Sequence, residues 1–517
     1  MNANISLDSS DKLLRQGFAW AKTQALAYVF SASATGDPVG DWYEAALPGR
    51  EAFCMRDVSH QSTGAQALGL GGYTYNMLYK FAAYIAASRD WCSYWEIDRR
   101  DEPAPIDYSS DTDFWYNLPA NFDVLHCCWR QYLWTGDRRY LDHPVFRNYY
   151  ARTLVDYVQQ WDKDGDGIPE HYPAYGRRGI GSYNEDVARP YNAGDLIATQ
   201  AAAYDAYAAM LELGNGADAS AAGTWRAKAQ ALRAKYDTEW WCAENSRFAG
   251  LRRHNLSYEC SYCGIANFFP LALNLIEDKV KAELALAEVI RRRRQHCIEE
   301  RSYLPELFYA YGHPLVARDE LMEQLEPGYA RREYPEVSYA AIGSIVAGML
   351  GIDPQAQANT VATCSRLTDD VAWVQLTSLP CLANVIDAMS AHTPYYMAAS
   401  GDPGGAPADG GAENVARIGK AKIMRQMPSV ASVNCFKTPH RATISLSSAG
   451  QWRTRDENRK TPWGVRIRIR RRSIPFSKAC LRAPKTTKSK RPRRVPPENR
   501  IRRLPRRFRS CSTRCRS

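Results

Sequence analysis

The chain has 517 residues and a formal net charge of +11, but its body and its C-terminal tail carry opposite charges. Residues 451–517 contain 25 Lys and Arg against 3 Asp and Glu, a charge of +22, which leaves −11 for residues 1–450. An acidic body excludes nucleic acid as the main ligand, because phosphate binding needs a basic surface, and no run of about 20 apolar residues predicts a membrane span.

Paired helical patterns follow one another along residues 1–398. Behind Ser10 and Asp11, which can cap a helix, apolar residues recur at spacings of three and four: Leu14, Phe18, Ala21, Ala25 and Val29. A second pattern begins at Gly194, and after the break "GNGADAS" a further stripe follows: Trp225, Ala229, Leu232 and Tyr236. Similar pairs recur in five more places: residues 60–90, 115–160, 263–293, 304–325 and 336–392.

About six helical hairpins in succession predict an all-α fold, an (α/α)6 toroid of residues 1–398 whose long loops gather at one end. No large sheet is expected there. An open α-solenoid is the alternative, but the chain shows no fixed repeat period. Residues 399–517 start with the linker "SGDPGGAPADGG" and become rich in Arg, which predicts a disordered basic tail. That tail either binds polyanions or is an extension, for instance an out-of-frame one, that was not selected for any structure.

The cysteines do not predict a metal centre. Among 14 Cys, Cys260 and Cys263 form a CxxC without a second pair nearby, so buried or incidental thiols are expected rather than zinc ligands. No basic start followed by an apolar run is visible, so we expect no secretory signal and a cytoplasmic location, unless the N-terminus is truncated.

The first loop that could carry chemistry spans residues 43–70. Glu51, Arg56, Asp57, His60 and Gln61 come just before or at the start of an apolar helix. The positive end of that helix and the neighbouring Arg56 favour an ionised Asp57. Such a carboxylate suits a general base, a nucleophile or an acceptor for sugar hydroxyls. Its alternative role is an N-cap paired with Arg56.

Two further loops precede apolar helices. In residues 94–123, acids including Asp113 alternate with Trp95 and Trp115, which suggests either a substrate-lining loop or a solvated charged loop. Near residue 333, Tyr334 and Glu336 come directly before another apolar helix. Glu336 is therefore a candidate second catalytic carboxylate, with helix capping as its alternative.

The stretch "WDKDGDGIPE" resembles the start of a calcium loop. The twelfth position from Asp162 is Pro173, however, where an EF-hand has a bidentate Glu, so an EF-hand is not expected. Two readings remain: a tight turn after a helix, or a calcium ion held by Asp162, Asp164 and Asp166.

Downstream, "GSYNEDVARPYNAGD" places Glu185 and Asp186 in a loop between Tyr183 and Tyr191. A carboxyl group beside these rings would be partly desolvated, which raises its pKa. That is what a general acid working near neutral pH needs. Two carboxyl groups around an aromatic cleft are the apparatus of glycoside hydrolysis.

The segment "WDKDGDGIPE…SYNEDV…YNAGDLIATQAAAYDAYAAML" resembles six-hairpin (α/α)6 glycoside hydrolases of the glucosylceramidase/β-glucosidase branch. There, a similar turn precedes a loop with the acid/base, which implies that role for Glu185 or Asp186. The stretch "REAFCMRDVSHQ" is similar to the one that holds the nucleophile, which implies Glu51 or Asp57. The general plan also looks like that of α-L-rhamnosidase-like enzymes.

The leading hypothesis is therefore a glycosidase without a required cofactor, with Glu185 as general acid and Asp57 or Glu336 as base or nucleophile. The residues expected to bind the carbohydrate are Arg56, His60, Gln61, Trp95, Asp113, Trp115, Tyr183 and Tyr334. One alternative is a polysaccharide lyase on the same toroid, with His60 and Tyr183 as its pair. Another is an inactive homologue with a polyanion-binding tail. The sugar, the linkage and the oligomeric state stay open.

Overall fold

The computed structural model describes residues 4–47, 49–184, 189–214, 218–329, 334–382, 384–392, 442–446, 452–456 and 463–471. All of them fall within one unit, Met1–Arg471.

Within these residues, twelve helices alternate between an inner and an outer ring. The inner helices, which are buried on nearly all sides, are α2 Met55–Ala67, α4 Pro119–Thr135, α6 Gly194–Leu213, α8 Ile265–Ala272, α10 Leu304–Ala310 and α12 Pro335–Gly343. The outer helices are α1 Lys12–Ala27, α3 Gly71–Ala83, α5 Pro144–Ala151, α7 Ala219–Glu239, α9 Lys279–Arg292 and α11 Pro314–Gln324. The predicted (α/α)6 toroid is confirmed.

Two of these helices extend beyond their α-helical part. A π-helical segment, Arg152–Tyr157, and the turn Val158–Trp161 continue α5, and a π-helical segment, Ser344–Met349, continues α12. Among the described residues, short helices also lie in the connections: Ala32–Thr35, Arg139–Asp142 and Ile298–Arg301.

The first helix closes the ring. Asp11 caps α1 as predicted, because its carboxylate accepts from the backbone N–H groups of Leu13 and Leu14 at 2.8 and 3.1 Å. The expected apolar stripe of α1 faces α12 and α11, and the Tyr339 hydroxyl of α12 donates to the carbonyl of Ala25 at 3.0 Å. The outer partner of α12 is therefore α1, which comes more than 300 residues earlier in the chain.

The inner helices α2 and α12 are in backbone contact. A Cβ atom added at Gly64 would lie 2.0 Å from the carbonyl oxygen of Tyr339, and one added at Gly343 would lie 3.4 Å from the backbone nitrogen of Gly64. Only the missing side chain of Gly64 permits this approach. The contact fixes the relative height of the two helices along the toroid axis.

Two four-stranded antiparallel sheets are built from one strand that precedes the toroid helices in the chain and seven strands that come after them. Their strands are β1 Ser6–Ser9, β2 Asp353–Gln355, β3 Thr360–Thr363, β4 Trp373–Cys381, β5 Asn384–His392, β6 Ala442–Leu446, β7 Trp452–Asp456 and β8 Trp463–Arg471. The strand orders are β1-β4-β5-β8 and β2-β3-β6-β7. In the first sheet Leu7 pairs with Leu376.

These sheets correct two expectations from the sequence. A helical hairpin over residues 336–392 is wrong beyond the end of the helix near residue 350, and residues 1–398 do contribute to sheets. The start of β4 alternates as a strand should, with Val374 and Leu376 buried and Gln375 exposed. Strands β6 to β8 lie in the segment 399–517, for which the sequence predicts disorder, and there the structure shows pairing. The domain boundary at residue 398 stays a prediction.

Short strand pairs shape the loops at one end of the toroid. They are Val29–Phe30 with Trp42–Tyr43, Ala52–Cys54 with Glu96–Asp98, Tyr108–Ser110 with Asp113–Phe114, Trp241–Cys242 with Arg247–Phe248, and the three strands Asn192–Ala193, Leu251–Arg252 and Tyr258–Glu259. The pair that contains Ala52–Cys54 leads directly into α2.

A disulfide joins Cys242 to Cys260, which corrects the expectation of incidental thiols, while Cys263 is a buried free thiol. The CxxC is thus divided between a disulfide and a thiol and is not a zinc site. Disulfides persist mainly in oxidising compartments, and the cytoplasmic location stays a prediction. None of the described helices combines the length and apolar character that crossing a bilayer requires.

We expect Gly64→Ala to destabilise the protein by about 2 kcal/mol or more, because the added methyl group meets backbone atoms that cannot move aside as a side chain can. The measurement is the melting temperature at a fixed scan rate. Gly223→Ala is the matched control, since Gly223 is an exposed position of α7 with open space around it, where Ala should be neutral or stabilise by up to about 1 kcal/mol. Equal melting temperatures for the two variants would contradict the backbone contact.

Candidate active site

Two carboxylic acids lie side by side at one end of the toroid. Asp57 is in the first turn of α2, and Glu336 is in the first turn of α12. Each precedes its contact glycine, Gly64 or Gly343, by seven residues, which is about two turns or 10 Å of helix. Because Gly64 and Gly343 are in contact, the two acids lie at the same height along the toroid axis.

The two acids differ in their partners. Asp57 accepts a hydrogen bond from the Arg56 Nε at 3.2 Å and forms an ion pair with it. Glu336 is 3% exposed, and its Oε2 has no hydrogen-bond donor among the described residues. Burial and the negative charges of Asp57 and Glu299 raise the pKa of Glu336 well above its usual range. The surroundings of Glu336 therefore favour its protonated form more than those of an exposed glutamate do.

A third acid, Asp123, projects from α4 toward the same region. It is 7% exposed, and the Tyr183 hydroxyl donates to its Oδ2 at 3.2 Å. Burial raises the pKa of Asp123 to about 6, although the charges of Arg130 and Arg56 and the Tyr183 hydrogen bond oppose this shift. This carboxyl group therefore changes its charge close to neutral pH.

Aromatic rings form a continuous wall beside these acids. The centroid of Tyr183 lies 6.2 Å from that of Trp95 and 5.9 Å from that of Phe269, and Phe269 lies 5.2 Å from Tyr303. His60 stacks on Tyr303 at 3.4 Å and 15°. The wall thus joins two loops with α8, α10 and α2, and pyranose faces pack well on such rings.

His60 is a neutral member of this wall. Its Nε2 lies 2.7 Å from the hydroxyl oxygen of Ser302. Burial, together with the positive charges of Arg130 and Arg56, holds the pKa of His60 well below its usual range. His60 therefore contributes hydrogen bonding and packing rather than a positive charge.

Tyr183 is held in place from the start of α6. The backbone N–H of Tyr183 donates to the Asp195 Oδ2 at 2.6 Å, and the Ser182 hydroxyl donates to the Oδ1 at 2.9 Å. Asp195 is fully buried, and burial raises its pKa to about 6. The carboxyl group of Asp195 thus ties the loop that carries Tyr183 to an inner helix.

A separate cavity of about 490 Å³ lies toward the other end of the inner helices, where Leu133 and Trp134 of the last turn of α4 line it. Thr63 and Arg130, which line it, come six residues after Asp57 and seven after Asp123, so the cavity begins about two helical turns further in. Glu306 also lines it. The lining of this cavity therefore includes charged side chains.

Several residues predicted from the sequence are brought to this end of the toroid: Arg56, Asp57, His60, Trp95, Tyr183 and Glu336. Tyr334 lies next to Glu336 in a small cluster with Ile298 and Val337. Gln61 is fully buried on α2, and neither of its amide atoms has a partner among the described residues.

Other predicted residues lie elsewhere. Glu51 is exposed and pairs with Arg99 at 2.6 Å, and Asp113 is exposed and pairs with Arg177 at 2.8 Å. Trp115 is half-buried and donates to the Oδ1 of Asn117 at 2.7 Å. The structure does not bring these three to the acids.

Glu185 and Asp186, which the sequence predicts as the acid/base, lie outside the described residues, and their roles stay predictions. Asp162, Asp164 and Asp166, the predicted calcium ligands, lie together with Glu170 in the loop after α5. They are the group of described residues that could hold a metal ion.

Sequence reasoning missed Asp123, Tyr303, Phe269 and Glu299. A signal existed for Asp123, because polar residues at positions 123, 126 and 130 form a helical stripe on α4, whose other faces are apolar and buried. A charged stripe on a buried helix predicts a polar axis in a toroid. For the other three residues, the sequence carried no comparable pattern.

Comparison with known proteins identifies the fold. A GH78 family rhamnosidase of Bacillus sp. GL1 superposes with a TM-score of 0.53 at 12% identity, over 75% of this chain and 40% of that protein. A sialidase gives 0.52 at 13% identity, over 74% and 38%. A human-microbiome protein assigned as a kojibiose phosphorylase gives 0.50 at 12% identity, over 75% and 59%.

No protein-family model matches the chain, and no curated protein matches it in sequence. At the identities above, structural likeness shows the fold alone, which is the six-hairpin glycosidase fold that the sequence predicts. The chain spans less than two thirds of the length of each of these three proteins.

We expect the stability of Asp123→Asn, relative to the wild type, to be greater at pH 8 than at pH 4. The folded-state pKa of Asp123 is raised from 3.8 to about 6. The wild type therefore loses free energy of unfolding as the pH rises through about 6 and Asp123 becomes charged, on the order of 2–3 kcal/mol in total. Asn stays uncharged. The measurement is the difference in melting temperature between variant and wild type at both pH values.

Asp113→Asn is the control, because Asp113 is exposed, and it should change the melting temperature little at either pH. A difference for Asp123→Asn that is equal at pH 4 and pH 8 would show that burial does not perturb this carboxyl group.

Proposed function

We propose that the protein hydrolyses a glycosidic bond of an oligosaccharide, a polysaccharide or a glycoconjugate, with Glu336 as general acid and Asp57 as the second carboxylate. The observation that carries this proposal is the pair of carboxyl groups at the same height: the buried Glu336, whose pKa is raised well above its usual range, and the Arg56-paired Asp57. The acid role, predicted from the sequence for Glu185, thus goes to Glu336. The six-hairpin glycosidase fold supports the proposal.

The two acids have complementary charge states for this reaction. Glu336 donates its proton to the leaving oxygen as the bond to the anomeric carbon breaks. Asp57, as the carboxylate, either takes a proton from the attacking water or attacks the anomeric carbon itself. Proton donation leaves Glu336 ionised beside Asp57, and the raised pKa of Glu336 then favours its reprotonation.

Asp123 and the aromatic wall bind the sugar in this proposal. The ring faces of Trp95 and Tyr183 are suited to stack on a pyranose, and the carboxylate of Asp123 accepts hydrogen bonds from its hydroxyl groups.

The lyase alternative finds less support. A lyase needs a base that removes a proton next to a carboxylate. His60 is held neutral but uses its Nε2 toward Ser302, and burial raises the pKa of Tyr183 well above its usual range while its hydroxyl donates to Asp123. Neither group is placed as a free base, so hydrolysis is favoured.

We expect Glu336→Gln to lose activity in proportion to how much the leaving group needs a proton. On aryl glycosides with poor leaving groups kcat should fall by about 100-fold to 10,000-fold, and on 2,4-dinitrophenyl glycosides by less than about tenfold. Asp57→Asn should lose about 100-fold or more on both. The assay is release of the phenol from a panel of glycosides that includes α-L-rhamnosides, with and without inorganic phosphate.

Glu51→Gln is the matched control, because Glu51 is exposed and paired with Arg99, and it should retain kcat within about twofold. Equal losses for Glu336→Gln on good and poor leaving groups would contradict its role as acid. Turnover that requires inorganic phosphate would show a phosphorylase instead of a hydrolase.

We expect Glu299→Gln to move the alkaline limb of the kcat/KM profile to lower pH. The charge of Glu299 helps to raise the pKa of Glu336, so its removal lets Glu336 lose its proton at lower pH. The measurement is kcat/KM against pH for the wild type, Glu299→Gln and Glu51→Gln. An alkaline limb that stays in place or moves to higher pH argues against Glu336 as the titrating acid.

A further inference from the structure

The loop "DKDGDGIPE" gathers four carboxylic acids between the outer helix α5 and the inner helix α6. Oxygen atoms of Asp162, Asp164, Asp166 and Glu170 all lie within 4.8 Å of one another. Like charges at such distances repel each other strongly. The loop therefore concentrates negative charge at a single point.

The backbone of this loop follows the order of a calcium loop. Counted from Asp162, carboxylates occupy positions one, three and five, and Gly167 takes the sixth position with a φ of +87°. Calcium loops of the EF-hand type place glycine there for a sharp turn and use the backbone carbonyl of the seventh residue, here Ile168. The twelfth-position Glu is missing, but Glu170 at the ninth position brings a fourth carboxylate to the cluster.

Glu170 points to a ligand independently of the loop pattern. Its side chain is fully buried, and its Oε2 accepts from the backbone N–H of Lys163 at 2.8 Å. Its Oε1 has no hydrogen-bond donor among the described residues. A buried carboxylate oxygen without a partner is costly, and a bound cation within the cluster would satisfy it.

The basic side chains around the cluster do not neutralise its four acids. Lys235 lies 2.7 Å from the Asp166 Oδ2, and an Arg252 nitrogen lies 3.7 Å from the same oxygen. Tyr191 donates to the Asp164 Oδ2 at 2.9 Å. When all four carboxyl groups are ionised, as ligands of a metal ion are, one Lys and one Arg leave a charge of −2, which one divalent cation neutralises.

We propose that Asp162, Asp164, Asp166 and Glu170 bind one calcium ion. The ligand atoms are all oxygen and come from an irregular loop, which suits Ca²⁺ with its variable coordination better than Mg²⁺ with its strict octahedron. None of these four residues offers a sulfur or imidazole ligand that would favour a transition metal.

The proposed ion has a structural role, because it fixes the connection that leads to Tyr183. Gln200 of α6 donates to the carbonyl of Gly167 at 2.7 Å, and the His171 N–H donates to the carbonyl of Tyr191 at 2.8 Å. The loop is thus already tied to the inner ring, and the ion would lock its tip. This inference does not depend on the proposed hydrolase activity.

Two measurements on the full chain test the proposal after treatment with a chelator. Added CaCl₂ should raise the melting temperature by about 2–4 °C with saturation, whereas MgCl₂ at the same concentration should do less. Terbium ions should show luminescence excited through the aromatic ring of Tyr191, whose hydroxyl contacts Asp164, and CaCl₂ should displace them. Glu170→Gln should weaken both responses on the order of 10- to 100-fold in concentration.

Glu102→Gln, at an exposed acid outside the cluster, is the matched control and should respond as the wild type does. If Glu170→Gln fails to fold, Asp164→Asn provides the second variant. Absence of both the calcium-dependent shift and the terbium signal in the wild type overturns the proposal, as does the same titration curve for wild type and Glu170→Gln. Loss of calcium binding without loss of hydrolysis, or the reverse, separates this inference from the proposed function.

Discussion

The arrangement of the site depends on the backbone contact between the inner helices α2 and α12. Gly64 lets the two helices approach until their main chains touch, and the seven-residue spacing to each acid then sets Asp57 and Glu336 level with each other. A side chain at this crossing would separate the helices. Both the burial of Glu336 and the effect of the Asp57 charge on its pKa would then decrease.

Burial of acids works against the stability of this protein at neutral pH. The pKa values of Asp123, Asp195 and Glu336 are all raised by desolvation, so each of these groups resists the charge that neutral solvent would give it. Few arginines balance them. Such a concentration of buried carboxyl groups with raised pKa values is typical of sites selected for chemistry rather than for stability.

The sequence predicted the parts of the fold whose signals are local. The cap at Asp11 and the apolar stripe that follows it could be read directly, as could the position of Asp57 and Glu336 at the start of buried helices. The pairing of α12 with α1 could not, because no local pattern encodes a partner 300 residues away. Asp123 lies within a helix, whereas catalytic acids are expected mainly in loops, so its role did not follow from its place in the sequence.

The pairing of α1 with α12 sets an order on the folding of the nascent chain. The apolar stripe of α1 leaves the ribosome first, yet the surface that covers it is made only after about 350 residues, which takes roughly 20 to 70 s at usual synthesis rates. Throughout that interval five hairpins can stack, but the ring stays open and the apolar stripe of α1 stays exposed. The apolar stripe of α1 is therefore a surface on which an unfinished chain can aggregate or bind a chaperone before the ring closes.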